Sequence, residues 1–228
     1  MSARTRIKIC GLTRAEDVDA AVAAGADAIG FVFYPASARY IAPAAAAALI
    51  ARVPPFVTTV GLFVNAGADE VAAAVAEAPV SLLQFHGDES SEQCGASADC
   101  VRRPFLRAMR IGGAAGMPDL LACEREYRAS RWFAGLLLDT YSDAYGGSGH
   151  CFDWSLIPPA LAPRIVLGGG LNAGNAAEAI RRVGPAALDV SSGVEQAKGI
   201  KDAARIRDFI AAARAGDGAR AHSGAGQD

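Results

Sequence analysis

No stretch of the 228-residue chain reaches the roughly 18 consecutive apolar residues that a membrane-spanning helix needs, so a helical membrane protein is not expected. Charge of one sign is missing too. With 22 Lys and Arg against 24 Asp and Glu, the net charge is −2, and no global field is available to hold nucleic acid or an anionic membrane. Any anion must therefore be bound locally. Gly and Pro, 25 and 11 residues, fall short of the roughly 25–30% that marks low complexity. The five cysteines, Cys10, Cys94, Cys100, Cys123 and Cys151, are odd in number and lack the paired spacing of a zinc site. Met1 to Arg4 runs straight into a β-like stretch, without a leader's apolar core or cleavage site. Reduced thiols in a cytoplasmic protein, with no metal, are the simplest expectation.

What is present is a packed core and a repeating texture. Hydrophobic residues make up 52% of the chain and charged residues 20%, which excludes general disorder. A chain of this length buries about 70% of its extended surface. Short runs of Val, Ile, Leu and Phe alternate with longer Ala-rich stretches, the pattern of βα units and a parallel sheet. Strands are predicted at 5–9, 28–33, 58–64, 81–85, 101–108, 133–138, 164–167 and 187–190. Helices are predicted at 14–24, 42–52, 68–78, 90–98, 117–129, 155–161, 172–182 and 202–214. Eight such units close most naturally into a single α/β domain, a (β/α)8 TIM barrel over residues 1–214. An open doubly wound sheet is the alternative. The Gly- and Ala-rich tail, 215–228, has no apolar period and is expected to be disordered.

In such a barrel the chemistry gathers where strands run into the following loops. Those ends carry Cys10-Gly11, Tyr34 through Tyr40, Asn65, His86-Gly87-Asp88-Glu89, Arg107, Asp139-Thr140, Gly168-Gly169-Gly170 and Ser191-Ser192-Gly193. The last two clusters follow strands seven and eight, where barrels commonly hold a phosphate on backbone N–H groups. Tight turns alone would also explain the glycines. Gly168-x-Gly170-x-x-Ala173 with Asp189 further on fits a loose dinucleotide fingerprint, but it lies too near the end of the chain for that fold.

Cys10 and Asp139 are the acid–base candidates. A thiol serves as base when a cationic neighbour favours its thiolate, and Lys8 lies two residues away. A carboxyl serves as acid when its surroundings favour the protonated form, and Asp139 follows three leucines out of a strand. An inert buried cysteine and a loop-capping aspartate are the competing readings. His86 is a candidate substrate contact or a structural rim residue. Arg39 and Arg107 offer forks for a carboxylate.

Several motifs, in order from about residue 7 to 210, are similar to those of the phosphoribosylanthranilate isomerase family. They are Lys8-Ile9-Cys10-Gly11; Gly30-Phe31-Val32-Phe33-Tyr34-Pro35 through Tyr40; Val60-Gly61-Leu62-Phe63-Val64-Asn65; Leu83-Gln84-Phe85-His86-Gly87-Asp88-Glu89; Leu138-Asp139-Thr140; Gly146-Gly147-Ser148-Gly149 before Phe152-Asp153-Trp154; Gly169-Gly170-Leu171-Asn172; and Asp189-Val190-Ser191-Ser192-Gly193-Val194-Glu195. The resemblance implies an enzyme of tryptophan biosynthesis, a cofactor-free barrel that performs an Amadori rearrangement of N-(5-phosphoribosyl)anthranilate. It puts the base on Cys10 and the acid on Asp139. Arg39, His86 and Asp189 fall on the substrate side, and Gly168, Gly169, Gly170, Ser191, Ser192 and Gly193 around the phosphate. It implies a small-molecule substrate as partner, without nucleic acid or membrane, and a monomer or homodimer. Two departures stand out: His150 where the family often has lysine, and Ala36 where lysine is frequent. An indole-glycerol-phosphate synthase-like lyase would want lysines and a glutamate at strand ends. A pentose-phosphate epimerase would want a metal set of His and Asp. A barrel that binds phosphate without catalysis would lack the acid or the base.

Overall fold

The computed structural model describes residues 4–112, 118–140 and 151–224, and in it eight strands alternate with helical segments. The order is β1 (Arg6–Cys10), α1 (Ala15–Ala23), β2 (Ala28–Val32), α2 (Pro43–Ile50), β3 (Thr58–Phe63), α3 (Ala68–Glu77), β4 (Leu82–Phe85), α4 (Ser91–Val101) and β5 (Phe105–Ile111). It continues with α5 (Leu120–Tyr127), β6 (Phe133–Thr140), β7 (Val166–Leu167), α6 (Ala176–Val183) and β8 (Ala187–Val190). A short hairpin, β9 (Glu195–Ala197) and β10 (Ile200–Lys201), and the last helix, α7 (Ala203–Gly224), complete it. Neighbouring barrel strands pair in parallel and in chain order, and β8 pairs with β1 to close the ring. This is the (β/α)8 barrel expected. Among the described residues, no helix is long and apolar enough to cross a membrane.

Strand residues alternate between the helix side and the barrel interior. Ile7, Ile9, Ile29, Phe31, Phe63, Phe85, Leu136 and Leu138 belong to the main core beneath the helices. Within it, Phe33, Phe63, Phe85, Phe105 and Phe133 form a chain of ring contacts with centroids 5.4, 6.2, 5.6 and 5.7 Å apart. Such pairs each contribute about 0.5–1.5 kcal/mol beyond their area. On the interior side, Cys10, Val32, Leu62 and Val64 form a separate small cluster with Tyr34 against it.

Three local departures from the sequence reading have physical causes. The fifth strand starts at Phe105, not at 101, because α4 continues to Val101 and ends on Arg102 in the left-handed region, at φ 53°. α4 is well formed because Ser90 Oγ accepts from Gln93 N at 3.2 Å while Gln93 Oε1 accepts from Ser90 N at 2.8 Å. The helix expected at 155–161 is replaced by two 3-10 turns, Trp154–Leu156 and Ala162–Arg164, around Pro158 and Pro159, which lack backbone donors. α6 begins at Ala176 rather than at 172, because Asn172 N donates to Asn175 Oδ1 and Gly174 N to Asn172 Oδ1.

The tail expected from 215 to be disordered is helical through Gly224. Asp217 accepts from Thr5 N and, at 2.7 Å, from Thr5 Oγ1, while Arg214 donates to Thr5 O at 2.7 Å. A Cβ on Gly216 would lie 3.0 Å from Ala177 Cα, so the small residues permit close packing of α7 on α6. Residues 225–228 of that expected tail, the start of the predicted fifth helix at 117, and the loop Gly146–His150 lie outside the described residues.

Arg107 faces the helix side and ties the rim together rather than binding a ligand. It donates to Tyr127 Oη, Phe85 O, Glu89 Oε2 and Gly87 O at 2.9–3.2 Å. Glu89 in turn accepts from Asn65 N and Gly87 N at 2.7 and 2.8 Å. The ion pair is buried, with side chains 8% and 3% exposed. Arg107→Met leaves that carboxylate unpaired, which costs about 3–5 kcal/mol in buried pairs. The urea midpoint should fall accordingly; an unchanged midpoint would show that this network does not hold the rim.

Candidate active site at the C-terminal rim

The ends of β1, β2, β3, β4, β6, β7 and β8 surround a cavity. Of the residues singled out from sequence, Cys10, Arg39, His86, Asp139, Gly169, Gly170, Asp189, Ser191 and Ser192 all line it. Gly168 and Gly193 do not. Gly193 lies behind the wall, where a Cβ would meet Leu171 O at 1.9 Å, so its part is to let two loops touch backbone to backbone.

Cys10 ends β1 and is 4% exposed. Beside it on β2, Gly30 leaves the room Sγ needs: a Cβ there would sit 2.9 Å from Sγ and 3.2 Å from Lys8 Nζ. Lys8 is itself buried, with Nζ 2.8 Å from Asp189 Oδ1 across the closing β1–β8 pair. Burial works to lower the Lys8 pKa, but Asp189 and Cys10 together raise it by more, so the ammonium persists. Burial likewise pushes the Cys10 thiol up, with Lys8 opposing. Asp189 thus borders the cavity but spends one oxygen on Lys8.

Asp139 reaches the interior because of a bulge. Phe105 pairs with Phe133, yet Leu106 pairs with Gly135, so β6 gains one residue at Ala134. Phe133, Leu136 and Leu138 consequently pack on the helix side, and Asp139 turns inward. Its Oδ1 accepts from Thr140 N at 2.9 Å, and Oδ2 lies 3.1 Å from His86 Nε2. Among the described residues, neither that imidazole nitrogen nor Gln84 Oε1 has a hydrogen-bond partner. Gln84 Nε2 lies 3.1 Å from His86 Nδ1, a contact that fixes one ring tautomer. Gly169, at φ 80°, packs against this group: a Cβ there would meet Thr140 Oγ1 at 2.3 Å and Asp139 Oδ1 at 2.9 Å.

Arg39 lines the cavity and is also paired within the protein. Its Nε and Nη2 already form a two-point bond to Glu195, at 2.7 and 2.9 Å, so the fork expected for a ligand carboxylate has an internal partner. That pair leaves the outer edge, both Nη1 hydrogens and the second hydrogen of Nη2, on the other side of the guanidinium. Glu195 also accepts from the buried Lys201 at 2.8 Å. Gln84, Glu195 and Lys201 escaped assignment from sequence, although Gln84 and Glu195 sit inside recognised motifs. The only signal available for Lys201 was a charged residue just before a helix, and such residues are usually exposed. Among the described residues, no group of three or more His, Cys, Asp or Glu is placed to hold a metal ion.

A thiol and a carboxyl that meet in one rim cavity of a closed barrel define the class: an acid–base (β/α)8 enzyme. Residues 7–212 match the family model of N-(5'-phosphoribosyl)anthranilate (PRA) isomerase. The protein of that name from Herminiimonas arsenicoxydans is 65% identical over 217 residues, covering 95% of this chain and 96% of the relative. A crystal structure of a phosphoribosyl anthranilate isomerase in complex with reduced 1-(o-carboxyphenylamino)-1-deoxyribulose 5-phosphate superimposes with a TM-score of 0.75 at 39% identity, covering 92% of this chain and 99% of the other. Monomers generated from the dimeric Thermotoga maritima enzyme match with a TM-score of 0.77 at 38% identity, covering 92% and 99%. The chain belongs to the phosphoribosylanthranilate isomerase family, enzymes of tryptophan biosynthesis.

A thiol held above its ordinary pKa is neutral at pH 7, so its thiolate fraction grows about tenfold per pH unit up to that pKa. Iodoacetamide labelling of Cys10, followed peptide by peptide, should climb steadily between about pH 7 and 9 without levelling. A plateau below pH 8 would contradict the burial effect.

Proposed function

We propose that this cavity carries out the family's isomerisation in this chain, with Cys10 as general base and Asp139 as general acid. The substrate is N-(5'-phosphoribosyl)anthranilate and the product 1-(2-carboxyphenylamino)-1-deoxyribulose 5-phosphate. One observation carries the reading: the thiol from β1 and the carboxyl from β6, on opposite sides of the ring, line the same cavity.

Protonated Asp139 gives its proton to the furanose oxygen as the bond from that oxygen to C1 breaks, and the nitrogen lone pair forms an iminium. The Cys10 thiolate then removes the proton from C2, and the electron pair moves toward the nitrogen to give an enolamine. Ketonisation adds a proton to C1 while the C2 hydroxyl gives up its own, which leaves a carbonyl at C2 and no net change in protons. The iminium charge arises beside Sγ at the step where the thiolate is needed, and Lys8 adds a second positive charge below it. A thiol with a raised pKa is, once deprotonated, the stronger base. Thr140 N holds one oxygen of Asp139, and His86 Nε2 faces the other.

The substrate's three parts fit three walls. Val32, Leu62, Val64 and Tyr34 offer an apolar face for the aromatic ring. The outer edge of Arg39 meets the anthranilate carboxylate. Backbone N–H groups around Gly169, Gly170 and Ser192 hold the phosphate at the far end. Five cysteines without a disulfide suit a cytoplasmic enzyme.

Phosphoribosylanthranilate generated in situ should lose its fluorescence when the protein is added. Cys10→Ala and Asp139→Asn should each slow that loss by about 10²–10⁴-fold, with unchanged circular dichroism. Full activity in either variant would remove that residue from its role.

A further inference from the structure

Lys201 is a buried cation beside the rim, with a side chain that is 0% exposed. A lysine buried to that degree without a task is a liability, because burial lowers its pKa and disfavours its charge. Its three donor directions are all committed. Nζ donates to Glu195 Oε1 at 2.8 Å, to Ser191 O at 3.1 Å and to Ser191 Oγ at 3.3 Å. Ser191 Oγ itself donates to Cys10 O at 3.0 Å. The Ser191 hydroxyl is thereby occupied, and what this residue offers a ligand is backbone.

The bond to Ser191 O has a directional consequence. In a trans peptide the C=O and the following N–H point in opposite directions. With the Ser191 carbonyl drawn toward Lys201, away from the cavity, the N–H of Ser192 is turned the other way. Ser191 and Ser192 both line the cavity, so that N–H is turned toward the end assigned to the phosphate. At its second partner, Lys201 shares Glu195 with Arg39, whose Nε and Nη2 grip the same carboxylate. Glu195 is buried, and burial alone would raise its pKa, but the two cations outweigh this and keep it ionised. Two positive charges on one carboxylate leave one net positive charge inside the rim, close to where a dianionic phosphate and a carboxylate arrive. The hairpin that carries Lys201 is fixed independently: Lys201 N donates to Asp17 at 3.2 Å, and Gly199, at φ 77°, packs on Ala38 O.

We propose that Lys201 is a positioning residue that aims the Ser191–Ser192 peptide at the substrate phosphate and, through Glu195, sets Arg39 for the anthranilate carboxylate, making the two anionic ends of the site one mechanical unit. The inference rests on the function proposed above and extends it to a residue that touches no substrate. It acts on ground-state and transition-state binding alike, because both anionic ends stay bound throughout the reaction.

The test is Lys201→Met, which keeps the length of the side chain and removes its charge, with thermal melting as the check on folding. KM should rise tenfold or more while kcat stays within about threefold. The inhibition constant of inorganic phosphate should rise in parallel. Mechanical coupling adds a second signature: Arg39→Met should weaken phosphate inhibition in the wild-type background and have no further effect in the Lys201→Met background. A folded Lys201→Met variant with unchanged KM and phosphate inhibition, or with a loss confined to kcat, overturns the proposal; so does an additive double variant. Should Lys201→Met fail to fold, Glu195→Gln keeps the shape of the link and loosens both ends. It is expected to raise KM and the phosphate inhibition constant at least threefold, and no change in either overturns the proposal. Calorimetric titration with inorganic phosphate reads the same loss without turnover. Failure of wild-type turnover would therefore indict the proposed reaction, and an unshifted phosphate affinity in the variant would indict the role of Lys201.

Discussion

The closure of β8 onto β1 is the constraint from which the rest of the site follows. Its register sets Lys8 opposite Asp189, and their 2.8 Å ion pair lies across the seam. The same seam brings the Ser191 hydroxyl to the carbonyl of Cys10, so the base and the last loop share a hydrogen bond although 181 residues separate them. A slip of one residue along this pairing would turn one of the two charged side chains to the helix side and leave both buried without a partner. The charges therefore act as a register pin as well as a local field for the thiol.

Buried charge recurs at this rim in a consistent form. Lys8 with Asp189, Arg39 and Lys201 with Glu195, and Arg107 with Glu89 are each paired and further hydrogen-bonded. Pairs of this kind contribute little net stability compared with apolar residues of equal volume, but they are costly to break singly. Their arrangement suits a function that needs preorganised direction. Each holds a loop that follows a strand, and each leaves the acid–base pair itself lightly constrained on the cavity side.

Much of this was legible from residues alone, for reasons that can be traced element by element. The alternation of β and α texture is a local property, and so is the gathering of Cys10, His86, Asp139 and the glycine turns at strand ends. The α4 helix was read to end at 98 but runs to Val101 despite Gly95, and the Ser90–Gln93 capping box that starts it forms only in the folded chain. The tail was misjudged because Gly216 and Ala215 look like linker residues, when they are the small surfaces that let a helix pack closely. Arg39 looked available because its partner lies 156 residues away.

By itself the sequence determined the eightfold repeat, the residue types at each strand end and the family motifs, because periodicity and turn chemistry are written within a few residues. Tertiary structure alone decided which way those residues face. Leu136-Leu137-Leu138-Asp139 has no polar alternation, and only the extra residue at Ala134, created by pairing with β5, turns the carboxyl inward. It alone decided that Lys201, an ordinary-looking lysine before a helix, is buried among Ser191 and Glu195. Both outcomes depend on the register between strands and loops distant in the chain, and that register exists only when the ring is closed.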